Sequence, residues 1–403
     1  MLALRSRFAG TAADLPATFW FLWVGTIVNR LGGFVIPFLS LYLTSQRGIP
    51  VGQAGLVVAL FGAGSFASQL VGGELADRLG RRPVLLMSLL GAPPLMVALG
   101  LIRDLAGIAG ITMALGFFTD LYRPAVSAAV ADVVAAPSRA RAFGYMYWAI
   151  NLGAALAPIV AGFMAHVNYL LLFFGDAVTT LAYGIIVIRL VPETQPTQAV
   201  AGARVPISRR LHQLGQAPVL LAFTFLTLLF GVVFMQGFVT LPLDMQSHGL
   251  GPGAYGLASA ANGILIVLVS IPLSRRIARW PRFVAMALAA LLVGGGFGMN
   301  AWATTLPLYV GAVAVWTLGE IIAAAVAPTL IADLSPVELR GLYQGFYGSA
   351  FGLSFFVGPL LGSWVFERFS PEILWIGCAV IGLLAAAAHL ALAVKAAPRP
   401  EVF

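Results

Sequence analysis

Twelve long apolar runs separated by short polar breaks organise the chain, and they predict helices near 18–44, 53–75, 83–102, 105–131, 140–165 and 169–190, then near 218–244, 253–274, 282–301, 306–332, 341–366 and 372–394. Each run is long enough to cross a ~30 Å hydrocarbon layer at 1.5 Å per residue. The longest polar connection, Val191 to Ala217, separates six runs from six and carries Pro192, Pro196, Pro206, Arg204, Arg209, Arg210 and His212. It reads as a basic linker. The pattern predicts an all-α membrane protein with a six-helix bundle over 1–190, a linker over 191–217 and a second six-helix bundle over 218–403.

The halves repeat in one register. Gly55-Leu56 recurs as Gly256-Leu257, Ala131-Asp132 as Ala332-Asp333, Arg139 as Arg340 and Pro158 as Pro359, always 201 residues apart. A shared offset points to a parallel duplication of a six-helix unit, with a binding site expected between the two copies.

Composition agrees with lipid as the solvent: 60% of residues are hydrophobic and 9% charged, with a mean hydropathy of +0.95. A formal charge of +8 on 403 residues would suggest nucleic acid in a water-soluble protein. Here the basic residues sit in loops between apolar runs, so topology explains them and no nucleic-acid partner is expected. With the N-terminus inside, eighteen Lys and Arg fall on the cytoplasmic side, against Arg47, Arg103 and Arg368 outside, with Arg30 and Arg123 in the membrane. Both termini are therefore expected in the cytoplasm, in the inner (plasma) membrane. The first run follows Arg5 and Arg7 like a signal sequence, but at Phe19 to Leu43 it is too long for one and reads as a retained helix. Cys378 is the single cysteine, which excludes a disulfide or thiolate metal site within one chain.

After the second run comes Gly73-Glu74-Leu75-Ala76-Asp77-Arg78-Leu79-Gly80-Arg81-Arg82. Gly73 would allow close helix approach, Gly80 a tight turn, and the arginines would hold the loop in the cytoplasm. This segment resembles the G-x-L-A-D-R-x-G-R-[KR] motif of the major facilitator superfamily, at the same place in the helix order. The resemblance implies that Asp77 biases a conformational gate by acting on the start of the eleventh helix, Gly341 to Tyr343, where free N–H groups favour an anion. The second-half copy keeps Arg279 and Arg282 but has Ala278 in place of the acid. Asp132 and Asp333 end the fourth and tenth helices ahead of Arg139 and Arg340, and ionic gate closure is expected of them.

In the fifth helix Gly153-Ala154-Ala155-Leu156-Ala157-Pro158-Ile159-Val160-Ala161-Gly162 is similar to the antiporter-associated G-x-x-x-G-P-x-x-G-G motif, with Ala157 and Ala161 in place of two glycines. Small residues at this spacing permit close packing, and Pro158 can bend the helix. The same spacing serves generic helix packing, and its second-half copy at Gly358-Pro359 and Gly362 carries no direction of its own.

Charges inside apolar helices cost ~2.5–3.5 kcal/mol even on lenient insertion scales, so they mark candidate chemistry. Arg30, Asp120, Arg123 and Glu320 fall near helix centres, and Asp176 nearer the outer end of the sixth helix, where water access is expected. Asp120 and Arg123 share a face and can neutralise one another. Glu320 has no basic residue within a turn on its own helix, although Arg30 could reach it from another. In the superfamily the first, fourth, seventh and tenth helices line the central cavity, which would place Arg30, Asp120, Arg123 and Glu320 there. Asn29, Asn151, Gln236, Asn262 and Asn300 read as helix-joining polar groups.

Metal spacing, a Walker loop and a nucleophile elbow are all missing from the sequence, so neither catalysis nor ATP drive is supported. The expectation is a monomeric, non-enzymatic, cofactor-free transporter that uses a proton gradient to export lipophilic or cationic small molecules. The alternatives are a lipid or anionic-metabolite transporter, or a nutrient importer, of the same fold.

Overall fold

The computed structural model describes residues 15–135, 138–195, 215–277, 279–335 and 340–396. It contains twelve helices long and apolar enough to span a membrane. Helix α1 runs over Ala17–Leu31 and, after a break, Val35–Leu41. Then follow α2 (Val51–Leu79), α3 (Arg81–Leu101), α4 (Leu105–Val133), α5 (Arg139–Val167) and α6 (Leu170–Leu190). The second set is α7 (Pro218–Phe234, continued by Gln236–Val239 and Leu241–Ser247), α8 (Pro252–Ile277), α9 (Arg282–Met299), α10 (Leu306–Leu334), α11 (Arg340–Arg368) and α12 (Pro371–Ala396). The expected helices are all present within a few residues of their predicted bounds. Most of the segment expected as a linker, 196–214, lies outside the described residues.

Local chemistry sets the ends. Asp104 caps α4 by accepting from Gly107 N at 2.7 Å, and Pro218 opens α7, where its missing N–H costs nothing. Between α2 and α3 the chain turns at Gly80 with φ of +102°, a conformation that disfavours any side chain.

Within each half the packing repeats. Helix α4 packs on α2 and α3, as α10 packs on α8 and α9; α3 packs on α6 as α9 on α12; α1 packs on α5 as α7 on α11. The result is two pseudo-symmetric six-helix bundles. They meet along two crossings, α2 with α11 and α5 with α8. At the first, Gly55 lies so close to α11 that a methyl on it would sit 2.9 Å from the Pro359 carbonyl oxygen; at the second, a methyl on Gly256 would sit 2.3 Å from that of Pro158. These four residues are related by the 201-residue offset, so the duplication produced both crossings from one design.

We call the face carrying the Gly73–Arg82 loop the motif side, and the other the far side. Toward the far side one apolar core, including Phe38, Phe61, Phe173, Tyr255 and Trp375, runs continuously through both bundles. Toward the motif side there are two separate cores, one holding Phe19, Leu85 and Tyr183, the other Phe223, Phe283 and Leu330. Among the described residues α4 and α10 show no extensive packing on one another, and a cleft of about 500 Å³ lies between the motif-side parts of α5, α8 and α10, lined by Tyr147, Trp148, Ser270 and Arg275. The bundles are closed on the far side and parted on the motif side.

Candidate functional site

On the motif side Arg81 is the organising residue. Its Nε donates to Asp132 Oδ2 at 3.0 Å and its Nη1 to Asp77 Oδ1 at 2.8 Å and to Ala76 O at 2.7 Å. Arg282 repeats the first of these contacts, with Nε 2.8 Å from Asp333 Oδ2. Both pairs lie inside one bundle. Asp132 and Asp333, of which ionic gate closure is expected, are each paired in this structure within their own bundle, to an arginine 51 residues upstream. Arg139 instead donates to Val134 O at 3.1 Å, and the Arg340 side chain lies outside the described residues. Asp77 is likewise bound to Arg81 with its side chain 71% exposed, and among the described residues it makes no hydrogen bond to the start of α11. Arg78 pairs with Glu74 at 2.5 Å.

Gly73 was expected at a close helix approach, yet a methyl there would meet nothing within 4 Å; Gly72 is the contact residue, where a methyl would sit 2.8 Å from Pro124 Cγ. Sequence reasoning also missed Glu193. Just past α6, its carboxylate accepts from Arg81 N, Thr194 N, Gln195 N and Arg82 N at 2.9, 2.8, 2.9 and 3.2 Å, clamping the start of α3. Burial of the carboxylate opposes ionisation, but these N–H groups outweigh it and hold Glu193 below the usual carboxylate range.

Between the bundles lies a cavity of about 330 Å³. Its N-terminal wall carries Arg30, Asp120, Arg123 and Asp176, and its C-terminal wall Phe234, Phe238, Val313, Trp316 and Phe355. Asp120 Oδ1 and Arg123 Nε are 2.6 Å apart, the pairing their spacing predicts, and Ser65 Oγ donates to the other Asp120 oxygen. Arg30 donates to the Tyr122 hydroxyl, with its guanidinium 5.4 Å from the centre of the same ring. It stays within the N-terminal wall.

Asp176 departs from its expected setting near water. It is 6% exposed, and it accepts from Val35 N at 3.2 Å and from Thr180 Oγ1 at 3.5 Å. The first of these bonds satisfies a backbone donor released where α1 breaks at Gly32-Gly33-Phe34. Asn29 joins the group through Thr180 Oγ1, at 2.9 Å.

Glu320 was expected in the cavity and instead lies behind its wall. Asn262 Nδ2 donates to Glu320 Oε2 at 2.7 Å and to Thr317 Oγ1 at 3.0 Å. Asn262 itself lines the cavity, so a single side chain separates the acid from it. No arginine, lysine or histidine pairs with Glu320 among the described residues.

The small residues of α5 act at the bundle interface. Gly162 faces the backbone of Pro252, Gly253 and Gly256 on α8, whereas Gly153 lies against Arg30 within its own bundle. Ala155 meets Gly263, and Ala157 and Pro158 line the cavity. Of the other polar residues, Gln236 donates to Gly358 O at 3.0 Å, joining α7 to α11, and Asn151 donates to Tyr147 O at 2.8 Å on its own helix.

A second group that the sequence did not reveal surrounds Asp244, at the far-side end of α7. Its carboxylate accepts from the Tyr309 hydroxyl at 2.8 Å and Trp375 Nε1 at 3.1 Å, while His248 Nδ1 lies 3.1 Å from the Tyr309 oxygen. The only hint was an acid four residues before a histidine, as common in a loop as in a site.

Known proteins share this architecture. In structure, the nucleoside transporter NupG superposes with a TM-score of 0.82 at 13% identity, over 93% of this chain and 99% of that one. In sequence, the chain is 25% identical over 359 residues to the Bacillus subtilis MFS-type transporter YqjV, covering 87% of this chain and 86% of the relative. It is 24% identical over 348 residues to a Na⁺, Li⁺, K⁺/H⁺ antiporter of Planococcus maritimus (78% and 81% covered). It is 22% identical over 381 residues to the multidrug resistance protein MdtH of Shigella boydii (90% and 91% covered). The model of the Major Facilitator Superfamily matches residues 22–325 and 238–402. The chain belongs to the Major Facilitator Superfamily and is a multi-pass membrane transporter rather than an enzyme.

Proposed function

We propose that this transporter is a proton-coupled exporter of lipophilic or cationic small molecules, working by alternating access with its motif side in the cytoplasm. The observation that carries the reading is a charge balance. Arg30 and Arg123 face Asp120 and Asp176 in the N-terminal wall, and when all four are ionised their charges cancel. Glu320, one hydrogen bond behind Asn262 and without a cation partner among the described residues, then sets the sign of the site. Ionised, it leaves one negative charge beside an aromatic wall, a setting for a lipophilic cation. Protonated, it leaves a neutral cavity. A proton and a cation therefore compete for one charge, and that competition makes an antiporter of a protein that carries them in alternate states. The likeness to MdtH and to a cation/proton antiporter supports the same class.

Half of the Arg123 side chain is open to the cavity, which favours an anionic amphiphile as the second reading. Proton-driven uptake into inverted vesicles decides between them. A cationic dye that accumulates while anionic drugs and lipids do not supports the proposal; accumulation of the anions alone supports the second reading. The sidedness is tested with cysteines at Gly48, Gly251 and Ala201 in a Cys378→Ser background. The first two should react with an impermeant thiol reagent from outside intact cells, and the third should not.

A further inference from the structure

Glu367 lies in the last turn of α11 and reaches over to the other bundle at the far end of the α2–α11 crossing. Its Oε2 accepts from Gly52 N at 2.8 Å, across 315 residues of sequence. Gly52 is the second residue of α2, where first-turn N–H groups have no partner within the helix and the helix dipole favours an anion. The fit depends on the glycine, since a methyl there would lie 2.2 Å from the carboxylate oxygen.

Helices α2 and α11 run antiparallel, so the motif-side end of the crossing has the reverse arrangement. There α2 ends with Asp77 in its last turn and α11 begins at Arg340. At each end of the crossing an acid closes one helix on the side where the other helix begins. The two acids are in opposite conditions. Glu367 is engaged on the side where the bundles share one core, and Asp77 is held by Arg81 on the side where they are parted.

We propose that Glu367 is a latch for the far-side-closed state, released whenever the bundles rock open on that face. Its contact with Gly52 exists only while α2 and α11 meet there, so it stabilises one state of the cycle and not the other. An exposed carboxylate on a helix start is a weak tie, and losing it should shift the population of states by roughly two- to fivefold. The proposal needs no assumption about the substrate.

The test is the distance distribution between spin labels at Leu105→Cys and Thr304→Cys, at the far-side starts of α4 and α10, in full-length Cys378→Ser protein in lipid nanodiscs. Two variants break the contact differently: Glu367→Ala removes the acid, and Gly52→Ala displaces it while leaving its charge in place. Both should raise the long-distance, far-side-open fraction by roughly two- to fivefold over the parent. A distribution that stays unchanged in either variant overturns the latch, including when thermal stability falls, because a purely structural contact would lower stability in both states alike.

Discussion

Asn262 on α8 holds Glu320 on α10 by a 2.7 Å hydrogen bond, with the amide facing the cavity and the acid behind it. Replacing Glu320 by Gln keeps the shape and removes the exchangeable proton. Glu320→Gln should abolish uphill dye uptake and flatten the pH dependence of dye binding, while expression and downhill exchange stay near the parent level. Asn262→Leu should leave uphill uptake measurable but reduced about tenfold, the effect of about 1.4 kcal/mol on one coupled step. Normal accumulation by Glu320→Gln, measured in inverted vesicles, places the proton elsewhere.

The Asp120–Arg123 pair, 2.6 Å apart in the cavity wall, predicts a rescue. Asp120→Asn leaves the guanidinium uncompensated, and because half of the Arg123 side chain is exposed the cost falls below the ~3–5 kcal/mol typical of breaking a fully buried pair. The single variant should express poorly and melt early. Asp120→Asn combined with Arg123→Gln removes both charges and should recover most of the folded yield, read by size-exclusion chromatography and thermal melting.

Two glycines separate contact from motif membership. At Gly256 an added methyl would strike the Pro158 carbonyl oxygen, whereas at Gly73 it would meet open space. Gly256→Ala should destabilise the protein by about 1–3 kcal/mol, in the range of overpacking. Gly73→Ala should melt within a degree or two of the parent in detergent.

Glu193 yields a pH prediction whose sign follows from its lowered pKa. A group depressed on folding stabilises the folded state fully above its unfolded pKa, and that stability is lost as pH falls through the folded value. The melting temperature of Glu193→Ala should therefore lie furthest below the parent's at pH 6–7. The gap should narrow as acidification passes below the ordinary carboxylate range. A gap independent of pH would mean that the carboxylate's charge plays no part in the clamp.

The helices, the duplication and the paired charges of α4 were legible because each is a local or periodic signal. Apolar runs report helix length directly, and a fixed offset of 201 needs no contact map. Partners of residues far apart in sequence were not legible. Asp132 lies 51 positions from Arg81, and only the packing of α3 on α4 brings the two together. Asp176 looked accessible from its distance to the helix end, and only the break in α1 shows which N–H it satisfies. The Asp244 group draws on the ends of α7, α10 and α12, three places that no single stretch of sequence connects.

At both crossings, Gly256 on Pro158 and Gly55 on Pro359, a glycine comes up against a main-chain carbonyl, with the Ser363 side chain packed beside Gly55 as well. The joints of the machine thus depend on side chains that are missing, at Gly55 and Gly256, while the cavity wall depends on side chains that are present. Mechanics and taste are inherited through different parts of the same residues. A descendant could exchange the aromatic wall for a polar one, and so change what it carries, without disturbing the articulation on which it turns.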